Sequence, residues 1–171
     1  MAATKADTRV PTVKSLATQT WVRADKEWEE GRTRSAFRLM LAAARMGESG
    51  AQVNVGNMYD GGVGIKRNVK AALYWYKRAY RRGEPCAAHN IGTVWRDAGD
   101  FRRARYWFER ALEMNGGDDG EANLEIAKLH LADEQGTRKA RWFLRRVCKS
   151  KNVTEAAIEE ARNLLKKLSR C

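Results

Sequence analysis

The sequence contains no run of eighteen apolar residues, and it does not open on a basic segment leading into an apolar stretch with a small-residue cleavage site. It therefore predicts neither a membrane-spanning helix nor a signal peptide, and a cytoplasmic location is the expectation. Proline is scarce: Pro11 and Pro85 are the only two, and both fall outside the helix interiors read below. Cysteine is scarce too, and Cys86, Cys148 and Cys171 form an odd, scattered set without paired spacing, which favours reduced thiols over a disulfide framework. Only His89 and His130 could act as bases near neutral pH, and no nucleophile stands at a recognised spacing from either. Cys86 and His89 are one helical turn apart and could supply two metal ligands, whereas structural zinc takes about four. Gly61-Gly62-Val63-Gly64 lacks the Lys-Ser/Thr that completes a phosphate-binding loop, and neither Ser-x-x-Lys nor Lys-Thr-Gly occurs. The expectation is a chain with no catalytic residues, no metal and no cofactor.

What is present is internal repetition. The stretch Ala51 to Tyr59 is matched position for position by Ala87 to Trp95, and again by Ala122 to His130 with Ala127 in the slot of Gly56 and Gly92. A second pattern follows each, a small residue, an aromatic three later and a small or apolar residue four after that: Ala72/Trp75/Ala79, Ala104/Trp107/Ala111 and Ala140/Phe143/Val147, with a degenerate copy at Ala36/Leu39/Ala43. The anchors Ala43, Ala79, Ala111 and Val147 are separated by 36, 32 and 36 residues, the period of helix–turn–helix repeats. Small residues let paired helices approach closely, and Tyr59, Trp95, Trp75, Trp107 and Phe143 fill the space that remains. His130, equivalent to Tyr59 and Trp95, reads as a packing residue. Before the repeats, Leu16, Trp21, Ala24 and Trp28 recur near helical period and give an N-terminal helix. After them, Ile158, Ala161, Leu165 and Leu168 form one apolar stripe, with Asn152 and Glu155 spaced as a capping pair.

These motifs resemble tetratricopeptide-type repeats and, within them, the Sel1-like subclass. The subclass likeness is strongest from Tyr59 to Ala79, where Gly62-Val63-Gly64-Ile65, Lys70-Ala71, Trp75 and Ala79 match its extended loop and second helix; Ala87 to Met114 is closer to an ordinary tetratricopeptide unit. The resemblance covers residues 20 to 150. It implies an all-α, right-handed α-solenoid of about four helix–turn–helix repeats, with residues 1–11 a disordered tail, 12–151 the repeat domain and 152–171 a C-terminal capping helix of that domain.

The chain is basic, with a formal net charge of +12 and a pI of about 10.0. Lys66, Arg67, Lys70, Lys77, Arg78, Arg81 and Arg82 occur with no intervening acid, and Arg138, Lys139, Arg141, Arg145, Arg146, Lys149 and Lys151 repeat the situation, with Arg102, Arg103, Arg105 and Arg110 between. All belong to second helices or their approaches. In the resembled family those helices form the outer, convex wall, so the expected surface of Lys77, Arg78, Arg81, Arg82, Arg102, Arg103, Arg141, Arg145 and Arg146 is either a solvated back or a site for an anionic partner, acidic protein or nucleic acid. Trp75, Trp107 and Trp142 are read at core-type positions, so rings interleaved with these cations are not expected.

The family's groove-facing positions carry over to Val53, Asn54 and Asn57 in the first clear unit, His89, Asn90, Thr93 and Arg96 in the second, and Leu124, Lys128 and Leu131 in the third. Asn54 and Asn90 are equivalent, and an amide both donates to and accepts from a peptide backbone. Val53, Glu121 and Glu125 stand where a carboxylate clamp would place cations. The implied function is a non-enzymatic module that binds a protein or peptide partner in a concave groove, as a bacterial adaptor, regulator or toxin-neutralising immunity protein does; the alternative is nucleic-acid binding through the basic wall.

Overall fold

A computed structural model of the chain describes residues 12–132 and 136–169; the expected N-terminal tail and Cys171 lie outside the described residues. Among the described residues every regular element is helical: α1 Val13–Glu29, α2 Thr33–Arg45, α3 Ser49–Gly61, α4 Val69–Tyr80, α5 Pro85–Asp97, α6 Phe101–Met114, α7 Gly120–Leu131, α8 Thr137–Val147 and α9 Glu155–Leu168. The chain divides between Trp75 and Tyr76, within α4, into two compact units.

In the first unit Thr12 caps α1 by accepting from the Ser15 amide at 3.2 Å. The turn into α2 is closed by the Arg32 guanidinium on the Glu27 carboxylate at 2.7 and 2.9 Å, and these hydrogen bonds hold the Glu27 carboxyl down at about 2. Ala36, Phe37, Met40, Ala43 and Ala44 recur on one face of α2 and are buried against Ala24 of α1 and Ala51, Val55 and Met58 of α3. Tyr59 meets Phe37 edge to face at 5.3 Å. The loop after α3 needs glycine at position 64 twice over: φ is +72°, and a Cβ there would come within 2.4 Å of the Thr33 carbonyl oxygen. Asn68 then caps α4, accepting from the Ala71 amide at 3.1 Å.

In the second unit Pro85 opens α5 at a position where its missing N–H costs nothing. Phe108 of α6 packs against Gly92 of α5 so closely that a Cβ on residue 92 would stand 2.7 Å from two ring carbons. Asp100 caps α6 and Asp119 caps α7, with acceptor distances of 2.9 and 2.8 Å. α9 seats Ala157 and Ala161 on Leu124, Ala127, Leu144 and Val147. Its cap differs from the Asn152/Glu155 pair read from the sequence. Thr154 accepts from the Ala157 amide, because Asn152 is already committed: its carbonyl accepts from Gly120 at 2.9 Å and its side-chain amide donates to the Asp118 carbonyl.

Candidate partner-binding sites

The residues at 53, 89 and 124 occupy one rank of the first helices, those at 54, 90 and 125 the next, and those at 57, 93 and 128 a third. The structure buries the first rank. Val53 and Leu124, expected on the groove surface, are closed in the core at 7% and 4% exposure, and Leu124 packs under α9. His89, equivalent to both, is half-buried with its ring 5.1 Å from Phe108; burial pushes its pKa below the ordinary value, against the pull of Asp119 and the neighbouring glutamates. Asn57, by contrast, is exposed, and Asn54, Asn90 and Thr93 are half-buried.

In the first unit, Asn54 and Asn57 of α3 join Asp25 and Trp28 of α1, Met40 of α2, and Met58 and Val63 in lining a recess of about 340 Å³. Asn54 lies with its amide nitrogen 3.8 Å from the Met40 sulfur. Partial burial, reinforced by Glu29, raises the Asp25 pKa, while the residue itself stays exposed. The recess is thus a soft apolar floor with one carboxylate and two amides at its edge. Sequence reasoning missed Asp25, Trp28, Met40 and Met58, having read Trp28 only as helical period; its 45% exposure at the end of α1 is the signal a side-chain count could not give.

In the second unit, Pro85, Cys86, His89 and Asn90 of α5 face Asn115, Asp119 and Glu121 across a shallower depression of about 390 Å³. Beside it runs a chain of ion pairs linking three helices. Arg96 of α5 pairs with Asp97 at 2.9 Å and with Glu125 of α7, and Lys128 bridges Glu125 at 3.2 Å and Glu160 of α9 at 2.9 Å. Arg96 and Lys128, expected to face a ligand, are therefore held by acids of the chain itself. Leu131 is half-buried at the end of α7. Among the described residues no group of three or more His, Cys, Asp or Glu side chains converges as metal ligands would, and no helix is long and apolar enough to cross a membrane.

The Sel1 repeat family model matches residues 33–48, 49–84 and 88–116. These segments coincide with α2, with α3 and α4, and with α5 and α6. A solved Sel1 repeat protein from Oxalobacter formigenes superposes with a TM-score of 0.69 at 20% identity, over 95% of this chain and 66% of that one. The repeats between residues 33 and 116 are Sel1-like. The protective antigen c5321 of uropathogenic Escherichia coli, which displays the same fold, gives 0.68 at 19% identity over 80% of this chain and 31% of its own length. The C-terminal part of a TPR repeat-containing protein from Cytophaga hutchinsonii gives 0.59 at 16% identity, over 87% and 55%. At these identities the likeness is one of fold, the all-α solenoid expected from the repeats, and this chain spans about two thirds and one third of the first two. Sel1-like repeat proteins are generally protein-interaction modules and typically non-catalytic scaffolds.

On this chain the basic residues divide by what they do. Lys77, Arg81, Arg82, Arg102, Arg103, Arg141 and Arg145 are exposed; Arg78 and Arg146 are half-buried. Arg103 lies over the Trp95 ring at 4.5 Å and pairs with Asp100, while Arg141 donates to the Leu168 carbonyl. Arg146 is structural: it donates to the Asn123 side chain and the Gly117 carbonyl. Trp75 is buried and Trp107 packs against Ala88, Ala111 and Ala122, as expected. Trp142 is not a core residue: it is 54% exposed, because the inward face of α8 carries Ala140, Phe143, Leu144 and Val147 and residue 142 falls off that face.

Proposed function

We propose that this repeat chain binds an extended segment of a partner protein against its first helices, and that the recess between Trp28, Met40 and Met58 takes an apolar side chain of that segment. The recess carries the reading: it brings an exposed ring, two thioethers, two amides and one carboxylate from three helices to one opening. Methionine floors adapt to differently shaped apolar side chains, and a partly exposed tryptophan supplies large contact area at low entropic cost. Asn57 and Asn54 suit the backbone of the segment. Asp25, the carboxylate at the opening with Glu29 nearby, suits an incoming cation, so the fitting sequence is an apolar residue beside Lys or Arg rather than an acidic stretch.

The test is selection of peptides from a random displayed library, followed by calorimetry. Selected peptides should share an apolar residue flanked by a basic one, and Trp28→Ala and Asn57→Ala should each weaken them by roughly ten-fold or more, an anchor-sized loss. Peptides whose affinity ignores both substitutions would place binding elsewhere.

A further inference from the structure

Each second helix from α4 onward carries an aromatic residue immediately before its inward-facing ring: Tyr74 before Trp75, Tyr106 before Trp107 and Trp142 before Phe143. All three outer rings are exposed, at 54%, 55% and 54%, and each stands edge to face on its inner neighbour with centroids between 4.7 and 5.5 Å apart. The residues four before and four after are cations every time: Lys70 and Arg78, Arg102 and Arg110, Arg138 and Arg146. Four residues of helix rise about 6 Å, so each ring lies between two positive side chains on the same helix stripe.

We infer that the outer faces of α6 and α8 in the second unit form a stacking surface for single-stranded nucleic acid. A large ring left half in water is unfavourable for solubility and contributes little to a core, yet this chain repeats it in register. A base needs a flat apolar face, and its flanking phosphates need cations on the scale of one nucleotide on either side. The rings supply the first and the exposed Arg102, Arg138, Lys139 and Arg145 the second, whereas Arg110 is held by Tyr80 and Glu113 and Arg146 by Asn123 and Gly117. Trp142 is also pre-oriented. The Arg146 guanidinium lies 4.8 Å from its ring centre and is itself fixed by Asn123 and Gly117, while Phe143 braces the edge and stacks on His130. A ring held in place loses little freedom when a base arrives. α8 adds Lys139, Arg141 and Arg145 and contains no Asp or Glu. Duplex offers no free base faces to such rings, and an acidic polypeptide offers charge without bases, so neither uses what the register provides.

The experiment is fluorescence anisotropy of a labelled oligouridine of about twelve nucleotides, a length within the range of stacking sites, with a duplex of equal length and polyglutamate as competitors. The native chain should bind the single strand in preference to both. Trp142→Ala should weaken it roughly five- to a hundred-fold, the effect of one lost stacking ring, and Trp142→Phe should restore most of the affinity. Arg145→Gln should leave the rings in place and lower the log–log salt slope by about 0.7, one phosphate contact. Tyr106→Ala, on a different helix, repeats the test should the first variant lose helicity by circular dichroism. Equal affinity for polyglutamate, or an oligouridine affinity indifferent to both ring substitutions, would overturn the inference and leave this face an acidic-protein surface or a solvated one.

Discussion

Gly92→Ala tests the close approach on which the second unit is built. In an isolated helix the change is favourable by about 1 kcal/mol, because alanine loses less backbone entropy on folding. Here the new methyl would stand 2.7 Å from Phe108 Cδ1 and Cε1 and 3.1 Å from Cγ, well inside ordinary van der Waals contact. The ring has nowhere to retreat: it is fully buried, with Ala104 and Ile126 beside it and Trp95, Leu112, Leu129 and Phe143 packed around them. Overpacking of this kind costs about 1–3 kcal/mol, so the balance should be a net loss of up to about 2 kcal/mol, read as a Tm lowered by about 2–4 °C for each. The chain itself contains the compensated version. One repeat on, the glycine slot is Ala127 and the residue equivalent to Phe108 is Leu144, both fully buried in one cluster. Gly92→Ala should therefore be tolerated in a Phe108→Leu background, with a coupling of about 1–3 kcal/mol by double-mutant cycle in urea. Additive effects, or a Tm raised by Gly92→Ala alone, would refute the reasoning.

His89 is held neutral in the fold because burial lowers its pKa, whereas in the unfolded chain it protonates near its ordinary 6.5. The unfolded state then binds more protons below that value, so the stability present above it should be lost as pH falls through 6.5, and His89→Gln should flatten the slope of a Tm-against-pH series. Glu125 accepts from both Arg96 and Lys128 while itself only 11% exposed, and each cation is about a third exposed. Glu125→Ala should cost about 1–3 kcal/mol in urea unfolding, less than a fully buried pair because water still reaches both cations. Asp119→Ala removes the acceptor for the Ala122 amide and for Asn115 at 2.7 Å, and should cost about 1–2 kcal/mol, with Asp119→Asn retaining most of it.

The fold was legible because its packing rests on size alternation at fixed intervals, and size is written in the sequence. Gly92, Ala127 and the anchors Ala79, Ala111 and Val147 are where the period put them, and Trp75 and Trp107 pack inward. The surface was less legible because adjacent ranks on a helix differ by about 100° of rotation, and no residue type announces which rank reaches water. Val53 and Leu124 are buried, whereas Asn57 is exposed and Thr93 half-buried. The Trp142-Phe143 pair shows the same limit. Either aromatic could fill a core by composition, and only the register of Ala140, Leu144 and Val147 decides for Phe143. The α1 contribution was hidden for a different reason: Trp28 acquires its role from α2 and α3, through contacts some dozen to thirty residues away that no local pattern encodes.

The two surfaces differ in what they would lose in salt, and this separates them. The first-unit recess offers apolar contact with a single carboxylate, whereas α8 offers five cations and no acid. Raising ionic strength to about 1 M shortens the screening length to about 3 Å, which removes phosphate attraction but leaves apolar burial in place. Peptide binding at Trp28 should persist under that condition while oligouridine binding falls by orders of magnitude. The ring substitutions should divide the same way, Trp142→Ala sparing the peptide and Trp28→Ala sparing the oligonucleotide. A chain in which either substitution abolished both ligands would have one shared surface, and the assignment of separate roles to first and second helices would be wrong.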